Sequence, residues 1–315
     1  MTQQISIVAP IFNEVGNLKA LCDSVGEALV DFDYELLLIN DGSDDGSTEL
    51  LNDLAAANER VKVIHFVRNY GQTAALKAGF KHASHDLIVT IDGDMQNDPS
   101  DIPAMVKKLD EGWDVVTGWR KNRKDTFVTR TLPSKIANRL ISRLSNVHLH
   151  DYGCTLRVYK SEFVRDVPLY GEMHRFLPIY VTWAGAKLVE VPVKHHPRTS
   201  GESKYGLSRI PKVLLDLTTL KFLRDYYVTP IYFFGALGVA SLVLGIGAGL
   251  LSVLCFQAWA SPTAGAVLAV IGPMLILFGI VEITLGVIAE VMIRMHYDIR
   301  DKEPFKIRLT QNMDD

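Results

Sequence analysis

The stretch Val89-Thr90-Ile91-Asp92-Gly93-Asp94-Met95-Gln96 joins an apolar run to two carboxylates that a single glycine separates. Alternate residues of an extended chain point the same way, so Asp92 and Asp94 are expected to converge just past a strand end. Gly93 permits a tight backbone path between them. Two close carboxylates repel each other, and Mg²⁺ binds one or two carboxylates together with substrate phosphates. The stretch therefore predicts a divalent cation that holds a diphosphate.

Strand-like and helix-like segments alternate on both sides of this stretch. Pro10 is expected to end the first strand, and Ser47 is expected to cap the second helix. Strands are predicted at 5–9, 34–39, 61–66, 87–91 and 114–117, and helices at 18–30, 48–58, 73–83 and 99–111. This alternation predicts an α/β domain that has a mostly parallel sheet with helices on both faces.

Three polar loops follow strands in this arrangement: Pro10 to Glu14, Asn40 to Ser47, and Asp92 to Gln96. In parallel α/β sheets, ligands bind beyond the carboxyl ends of the strands. Acidic and amide groups there, with Asn13 among them, suit the base and ribose of a nucleotide. No glycine-rich turn follows the first strand and no Walker A loop exists, which argues against dehydrogenases and P-loop enzymes.

Two long apolar runs follow the soluble part of the chain. Thr229 to Phe256 contains no charged residue, and Thr263 to Ile293 contains only Glu282 and Glu290. About 20 apolar residues span a bilayer core, so both runs predict transmembrane helices. Lysines and arginines flank the far ends of the two runs, whereas the linker between them is uncharged, which places both termini in the cytoplasm.

The predicted organisation has five parts. These are a cytoplasmic catalytic domain at 1–206, amphipathic interface helices at 207–228, transmembrane helices at 229–256 and 264–293, and a cytoplasmic tail at 294–315. The net charge of -3 selects no partner by overall electrostatics. Three cysteines far apart in sequence favour a reducing compartment, and the strand-like start predicts that no signal peptide is present.

Two cationic stretches have more than one interpretation. The first runs from Arg120 to Arg143 and is either a solvated face, a nucleic-acid surface, or a site for a phosphate group and anionic lipids. It lacks interleaved aromatic residues, which disfavours nucleic acid, and the apolar hairpin favours the third interpretation. The second, Arg198 to Tyr205, is either a linker or a loop that closes over a diphosphate. His195 and His196 have no third ligand nearby in the sequence and are not assigned to a metal.

Taken in order, these motifs resemble those of the family 2 glycosyltransferases, which have the inverting GT-A fold. More narrowly they resemble the polyprenyl-phosphate glycosyltransferases, in particular a bacterial branch that carries two C-terminal membrane helices. The resemblance covers nearly the whole chain. It rests on Pro10 to Glu14, Asn40 to Ser47, Arg68-Asn69-Tyr70-Gly71, Asp92 to Gln96, Asp151-Tyr152-Gly153-Cys154, Arg198 to Tyr205 and Gly286 to Arg294.

The resemblance implies a role for each matching position. Pro10, Glu14 and Asp41 would contact the nucleotide of the donor, and Asp151 is the candidate base. The metal and the diphosphate would be held by Asp92, Asp94 and Gln96, with Asp94 as the main ligand of Mg²⁺ or Mn²⁺. The leaving diphosphate would be stabilised by Arg198 and Lys204. The acceptor phosphate would be held by Arg120, Arg123, Arg130 and Ser134.

The resulting prediction is a metal-dependent hexosyltransferase in the bacterial inner membrane. It would move glucose from UDP-glucose to undecaprenyl phosphate for a cell-envelope glycan, as in lipopolysaccharide modification. GDP-mannose, UDP-GlcNAc and a UDP-aminoarabinose derivative are alternative donors. A homo-oligomer is expected, with a tetramer as one candidate, and no nucleic-acid partner. The rivals are a processive polysaccharide synthase, whose acceptor motif is missing, and a non-catalytic membrane scaffold or transporter subunit, for which Glu282 and Glu290 would be the best support.

Overall fold

The structure is a computed structural model that describes residues 3–121, 132–165, 167, 169, 171–197, 219, 221–222, 225–226, 229–257 and 261–300, of which 132–137, 294 and 296–300 are described by backbone alone. The chain divides into two compact units, Met1–Asp216 and Leu217–Asp315. Most of the predicted interface helix at 207–228 lies outside the described residues, and so does the tail beyond 300.

The first unit alternates strands and helices as the sequence predicts. Its elements are β1 (Gln4–Ile11), α1 (Leu18–Ala28), β2 (Asp33–Asn40), α2 (Ser47–Ala57), β3 (Val61–His65), α3 (Gln72–His82), β4 (Leu87–Thr90), α4 (Ile102–Leu109), β5 (Val115–Trp119), α5 (Leu132–Ser145), β6 (Arg157–Lys160), α6 (Leu177–Trp183) and β7 (Leu188–Pro192). Short 3₁₀ turns lie at Pro99–Asp101, Ser161–Phe163 and Met173–Phe176.

The sheet has seven strands in the order β3-β2-β1-β4-β6-β5-β7. All neighbours are parallel except β6, which runs antiparallel between β4 and β5. From β1 the chain adds β2 and β3 on one side and then crosses to place β4 on the other side. The strand order thus reverses at β1 and β4, and a crevice at such a switch point is where open α/β sheets bind ligands.

Helices cover both faces of the sheet and bury its central strands. One layer, which includes Leu21 of α1 and Met105 of α4, packs on residues such as Ile7. The other, which includes Phe80 of α3 and Leu177 of α6, packs on the opposite face. Strands that are buried on both faces are expected to read as continuous apolar runs, and the sequence of β2 has that pattern.

Two local predictions are wrong. Pro10 does not end the first strand, because β1 continues to Ile11 with Pro10 paired in parallel to Ile39. Ser47 does not cap α2 from outside; it is the first helical residue, and Gly46 occupies the N-cap position without a side-chain bond. The Ser47 hydroxyl instead donates to Asp45 Oδ1 at 2.6 Å and accepts from the Glu14 amide at 3.2 Å. It therefore joins two loops at the ends of β1 and β2.

The described part of the second unit contains two long helices, α7 (Pro230–Gln257) and α8 (Pro262–Arg300). Both are long and apolar enough to cross a membrane, with mean hydropathies of 2.3 and 2.5 in their most apolar windows. They pack through glycines: a Cβ on Gly245 would lie 2.8 Å from the Gly272 carbonyl oxygen. Glu282 is 4% exposed between the helices and accepts a hydrogen bond from Ser241 at 3.0 Å.

Candidate active site

The acidic pair lies at the switch point of the sheet. β4 ends at Thr90, and the chain then passes the end of β1. A Cβ on Gly93 would lie 2.6 Å from Ile11 Cδ1 and 3.5 Å from the Pro10 carbonyl oxygen, so a larger residue would require the Ile11 side chain to move. Met95 has a φ of 57°, which turns the chain sharply after Asp94. The loop is thus held against the end of β1.

Asp92 and Asp94 lie close enough to influence each other. Burial, followed by the neighbouring charge of Asp94, raises the pKa of Asp92 to about 6. Asp92 Oδ1 accepts a hydrogen bond from Gln72 Nε2 at 2.8 Å, and Asp94 Oδ1 accepts from the Gln96 amide at 3.2 Å. Crowded negative charge of this kind is relieved by a bound cation.

The donor set fits a hard divalent cation. Among the described residues, no group of three or more His, Cys, Asp or Glu side chains could enclose a metal ion. What remains is a pair of carboxylates, followed two residues later in the chain by Gln96. Mg²⁺ is usually held by one or two carboxylates, while water and substrate phosphates complete its shell. The set therefore suits a cation that arrives with a diphosphate better than a permanently enclosed ion.

Asp41, at the end of β2, holds the loop before α3. Its two oxygens accept hydrogen bonds from the Tyr70 amide at 2.7 Å and the Gly71 amide at 2.9 Å. Gly42 has a φ of +70°, and a Cβ there would lie 2.5 Å from the Arg68 carbonyl carbon. Asp41 is 3% exposed, so its main role in this structure is to position the loop 68–71.

The loop after β1 bonds to the loop after β2. Asn13 has a φ of 57°, its side chain donates to Asp44 Oδ1 at 2.7 Å, and its amide donates to Ser43 Oγ at 3.0 Å. Glu14 accepts a hydrogen bond from Asn17 Nδ2 at 2.6 Å. Of the residues predicted to bind the donor nucleotide, Asn13, Glu14 and Asp41 therefore lie on adjoining loops, and Pro10 lies in the end of β1 that leads to them, at one edge of the sheet.

Asp151 is paired with Arg120. Arg120 Nε donates to Asp151 Oδ2 at 2.7 Å and its Nη2 donates to Oδ1 at 3.0 Å, and the two side chains are only 12% and 4% exposed. Asp151 Oδ1 also accepts from the Gly153 amide at 3.0 Å. The predicted base, Asp151, and a predicted phosphate ligand, Arg120, therefore form an ion pair with each other. Although burial opposes it, the pairing raises the pKa of Arg120 above its ordinary value.

Two residues near Asp92 were not predicted from the sequence. Gln72 directly follows the motif Arg68 to Gly71, and that adjacency was the available signal. Arg157 is 4% exposed on β6, and its positive charge opposes the rise in the pKa of Asp92. The sequence held no clear signal for Arg157, because β6 has only four residues and Lys160 gives it a second cation.

Several predicted residues fall outside what the structure describes. Ser134 belongs to α5, where only the backbone of 132–137 is described. The remaining predicted cationic ligands, for which the roles stay predictions, are Arg123, Arg130, Arg198 and Lys204. The histidines excluded from metal binding have structural contacts: His196 Nε2 lies 3.1 Å from Asp98 Oδ2, and residue 195 forms a β-bridge with Asn97.

Comparisons with known proteins agree with this arrangement. The sequence model of Glycosyl transferase family 2 matches residues 6–167. A dodecaprenyl-phosphate galacturonate synthase of Rhizobium johnstonii is 40% identical over 93% of this chain and 89% of its own length. An undecaprenyl-phosphate 4-deoxy-4-formamido-L-arabinose transferase of Aeromonas hydrophila is 36% identical over 96% of this chain and 92% of its own length.

Solved structures give the same fold. The structure of glucosyl-3-phosphoglycerate synthase from Mycobacterium tuberculosis with Mn²⁺, UDP and glucosyl-3-phosphoglycerate superposes with a TM-score of 0.55, covering 72% of this chain and 83% of that chain. Its sequence is 19% identical, so this likeness concerns the fold alone. Together with the family match and the full-length relatives, these results show that the chain belongs to glycosyl transferase family 2 and is a glycosyltransferase with the GT-A fold.

Proposed function

We propose that this glycosyltransferase moves a sugar from a nucleoside diphosphate to a polyprenyl phosphate at a membrane surface. The observation that carries the proposal is the acidic pair Asp92 and Asp94 at the switch point of the sheet, beside the loops that end β1 and β2. Crowded carboxylates there suit a cation-bound diphosphate, and the polar loops suit its nucleoside. Both relatives described above are named for a polyprenyl-phosphate sugar product or acceptor.

The two apolar helices support a lipid acceptor. Their outward side chains are apolar and exposed: Leu244 of α7 and Leu277 of α8 are 63% and 64% exposed. A soluble protein would bury such a surface, whereas a bilayer solvates it. We place the catalytic unit and both termini in the cytoplasm of a bacterium, with the hairpin in the inner membrane, on the charge asymmetry of the flanks.

For the donor we propose a general class first and then specific sugars to test. The general class is a nucleoside diphosphate sugar, and the sequence alone predicts UDP-glucose. The relative that is 40% identical forms a galacturonate product, so UDP-galacturonate is the donor to test beside UDP-glucose. A UDP-linked 4-formamido-arabinose is the third donor, because the Aeromonas hydrophila relative is named for that sugar.

The residues that would hold the cation are Asp94, Gln96 and Asp92. When bound, Mg²⁺ or Mn²⁺ would neutralise charge on the departing diphosphate. Gln72 holds Asp92 in place through its 2.8 Å hydrogen bond. Asp41 binds the backbone amides of Tyr70 and Gly71, which directly precede Gln72. The same short segment therefore positions the proposed nucleotide ligand Asp41 and the proposed diphosphate and metal ligand Asp92.

The reaction needs little base catalysis. A phosphate monoester has a second pKa of about 6, so the acceptor is largely ionised near neutral pH. One of its oxygens forms the bond to the anomeric carbon while the bond from that carbon to the diphosphate oxygen breaks, with inversion. Asp151 accepts hydrogen bonds from Nε and Nη2 of Arg120, so it serves to orient that guanidinium and not to accept a proton.

Radiolabelled donors and undecaprenyl phosphate test the proposal directly. Membranes that bear the protein should form a chloroform-extractable labelled product with one of the three donors and added Mg²⁺ or Mn²⁺, and EDTA should abolish it. Asp94→Asn should remove activity, while Asp53→Asn, on an exposed position of α2, should not. If no product forms with any of the three donors, with or without chelator, the proposal is overturned.

The hairpin weakens one of the two arguments for the rival membrane transporter. Its intramembrane acid Glu282 is buried against α7 and bonded by Ser241, which gives the carboxyl group a local structural partner. The proposed homo-oligomer can be measured separately by the mass of the detergent-solubilised protein, with a tetramer as the form to look for.

A further inference from the structure

Arg157 brings a charged group into the middle of the sheet. It is the first residue of β6 and pairs with Thr90, the last residue of β4 and the second before Asp92. On its other side it pairs with Thr117 of β5. The residue is 4% exposed, so its guanidinium lies among protein atoms behind the end of β4.

The hydrogen bonds of this guanidinium go to neutral groups. Nη2 donates to the Tyr152 carbonyl oxygen at 2.7 Å and Nη1 donates to the His174 carbonyl oxygen at 3.2 Å. Nε is buried with no hydrogen-bond partner. Within the described part of the chain, no carboxylate lies within 4.0 Å of the guanidinium as an ion-pair partner.

A buried cation with only neutral ligands is costly. Removing an ion from water costs several kcal/mol even after relaxation, and two carbonyl groups repay part of that. Arginine is not deprotonated in proteins, so the side chain cannot become neutral to reduce this desolvation cost. The neighbouring His174 cannot supply a negative charge in either protonation state. Burial and then nearby Arg175 and Arg157 lower its pKa to about 3, so it stays neutral and adds no second positive charge. A compensating charge must therefore act from farther away.

The acidic pair supplies that charge. Arg157 pairs across the sheet with Thr90, so it lies on the strand beside the one that ends two residues before Asp92. In agreement with this placement, its charge opposes the rise in the pKa of Asp92 that burial and Asp94 cause. Arg120, the other nearby cation, is already engaged by Asp151. Arg157 is thus a buried positive charge, on the strand beside the one that leads to Asp92, that is not committed to any closer acid in the described residues.

We propose that Arg157 is a positioning residue whose fixed charge sets the site to bind a divalent cation together with a diphosphate, and not either one alone at high affinity. Its positive charge repels a bare cation at Asp94 and attracts the diphosphate. The inference rests on the proposed function, because it assumes that both ligands bind beside the acidic pair. A residue needed only for folding would have no such opposite effects on the two ligands.

The test measures two equilibria on the full chain in detergent, without turnover. Mn²⁺ binding alone is followed by electron paramagnetic resonance, and UDP binding in EDTA is followed by titration calorimetry. Arg157→Gln, which removes the charge and keeps a hydrogen-bond donor, should tighten Mn²⁺ binding and weaken UDP binding, each on the order of tenfold. Arg157→Lys, which keeps the charge, should leave both affinities near those of the wild type.

Arg165 offers a matched control. Its Nη2 also donates to two carbonyl oxygens, those of Ala83 and His85, but these precede β4 at the opposite end of the strand. Arg165→Gln should change neither affinity. Arg157→Met is a second neutral variant if Arg157→Gln does not fold, and thermal unfolding of each variant reports on folding.

The outcomes separate the two proposals. Opposite shifts of the two affinities in a neutral variant, restored in Arg157→Lys, support the role of Arg157. Weakening of both affinities, or no change in either, overturns it while leaving the glycosyl transfer intact. A wild-type chain that binds neither Mn²⁺ nor UDP, separately or together, would instead refute the proposed function.

Discussion

The Arg120–Asp151 pair allows one prediction to be worked out from the structure. Both side chains are largely buried, and the guanidinium meets the carboxylate through two hydrogen bonds of 2.7 and 3.0 Å. Removing one partner of a buried pair leaves an uncompensated charge and costs roughly 3–5 kcal/mol. Arg120→Met and Asp151→Leu should therefore each destabilise the catalytic unit by about that amount.

The loss of stability in the double variant should be smaller than the sum of the losses in the two single variants. With both charges gone, neither partner is left buried alone, and apolar replacements of a buried pair are often close to neutral. We expect a coupling of roughly 3 kcal/mol or more between the two positions, well beyond the additivity error for distant sites of about 0.5 kcal/mol. In a unit of this size, 1 kcal/mol shifts Tm by about 2–4 °C, so each single variant should melt about 10 °C below the wild type.

Thermal unfolding of the four proteins in detergent measures this cycle. The exposed pair of Lys108 and Glu111, with side chains 33% and 55% exposed, is the control, and its coupling should stay within about 1 kcal/mol. Strictly additive losses for Arg120 and Asp151 would refute the reasoning. Activity adds a second readout: Asp151→Asn should weaken acceptor binding, whereas a large fall in kcat alone would restore the assignment of Asp151 as a base.

Three further predictions concern other parts of the chain. Gly42→Ala should lose donor binding and destabilise the protein by about 1–3 kcal/mol, because its Cβ would meet the Arg68 backbone at 2.5 Å; unchanged UDP affinity would contradict this. Although burial raises it, hydrogen bonds from Lys62 and neighbouring serines lower the pKa of Glu35 on balance. Glu35→Gln should therefore destabilise the protein by about 1–3 kcal/mol at pH 7, and unfolding titrations should show the difference shrinking below about pH 4, as the wild-type carboxylate becomes protonated. Glu282→Gln should keep full transferase activity, because the amide still accepts the serine hydrogen bond, and loss of activity would point to a proton-carrying role.

Much of the first half of the catalytic unit follows from sequence pattern. The continuous apolar run of β2 and the helical periodicity of α1 are local properties, so their positions are predictable to within a residue or two. The second half is not. Its strand β6 has only four residues and runs antiparallel between β4 and β5, and no local pattern reveals which strands flank it.

The candidate site shows the same division. The loops that carry Asp41, Asp92 and Asp94 were predicted because each follows an apolar strand, and parallel strands bring their carboxyl ends to one edge. The hydrogen-bond partners of the acidic residues in the site, Asp151 included, were not predicted because they come from other segments of the chain. Gln72 is 20 residues from Asp92 in sequence, and Arg120 is 31 residues from Asp151. Composition and spacing contain no information on such pairings.

The loop 68–72 connects the two halves of the proposed donor site. The backbone amides of Tyr70 and Gly71 donate to Asp41, which directly follows β2, and the side chain of Gln72, at the start of α3, donates to Asp92. A shift of this loop would therefore move the support of the nucleotide and of the diphosphate together. Because the loop passes within 2.5 Å of a Cβ position at Gly42, any larger residue there forces that shift. The absence of a side chain at Gly42 thus allows this loop to bond to Asp41 while Gln72, which directly follows it, bonds to Asp92.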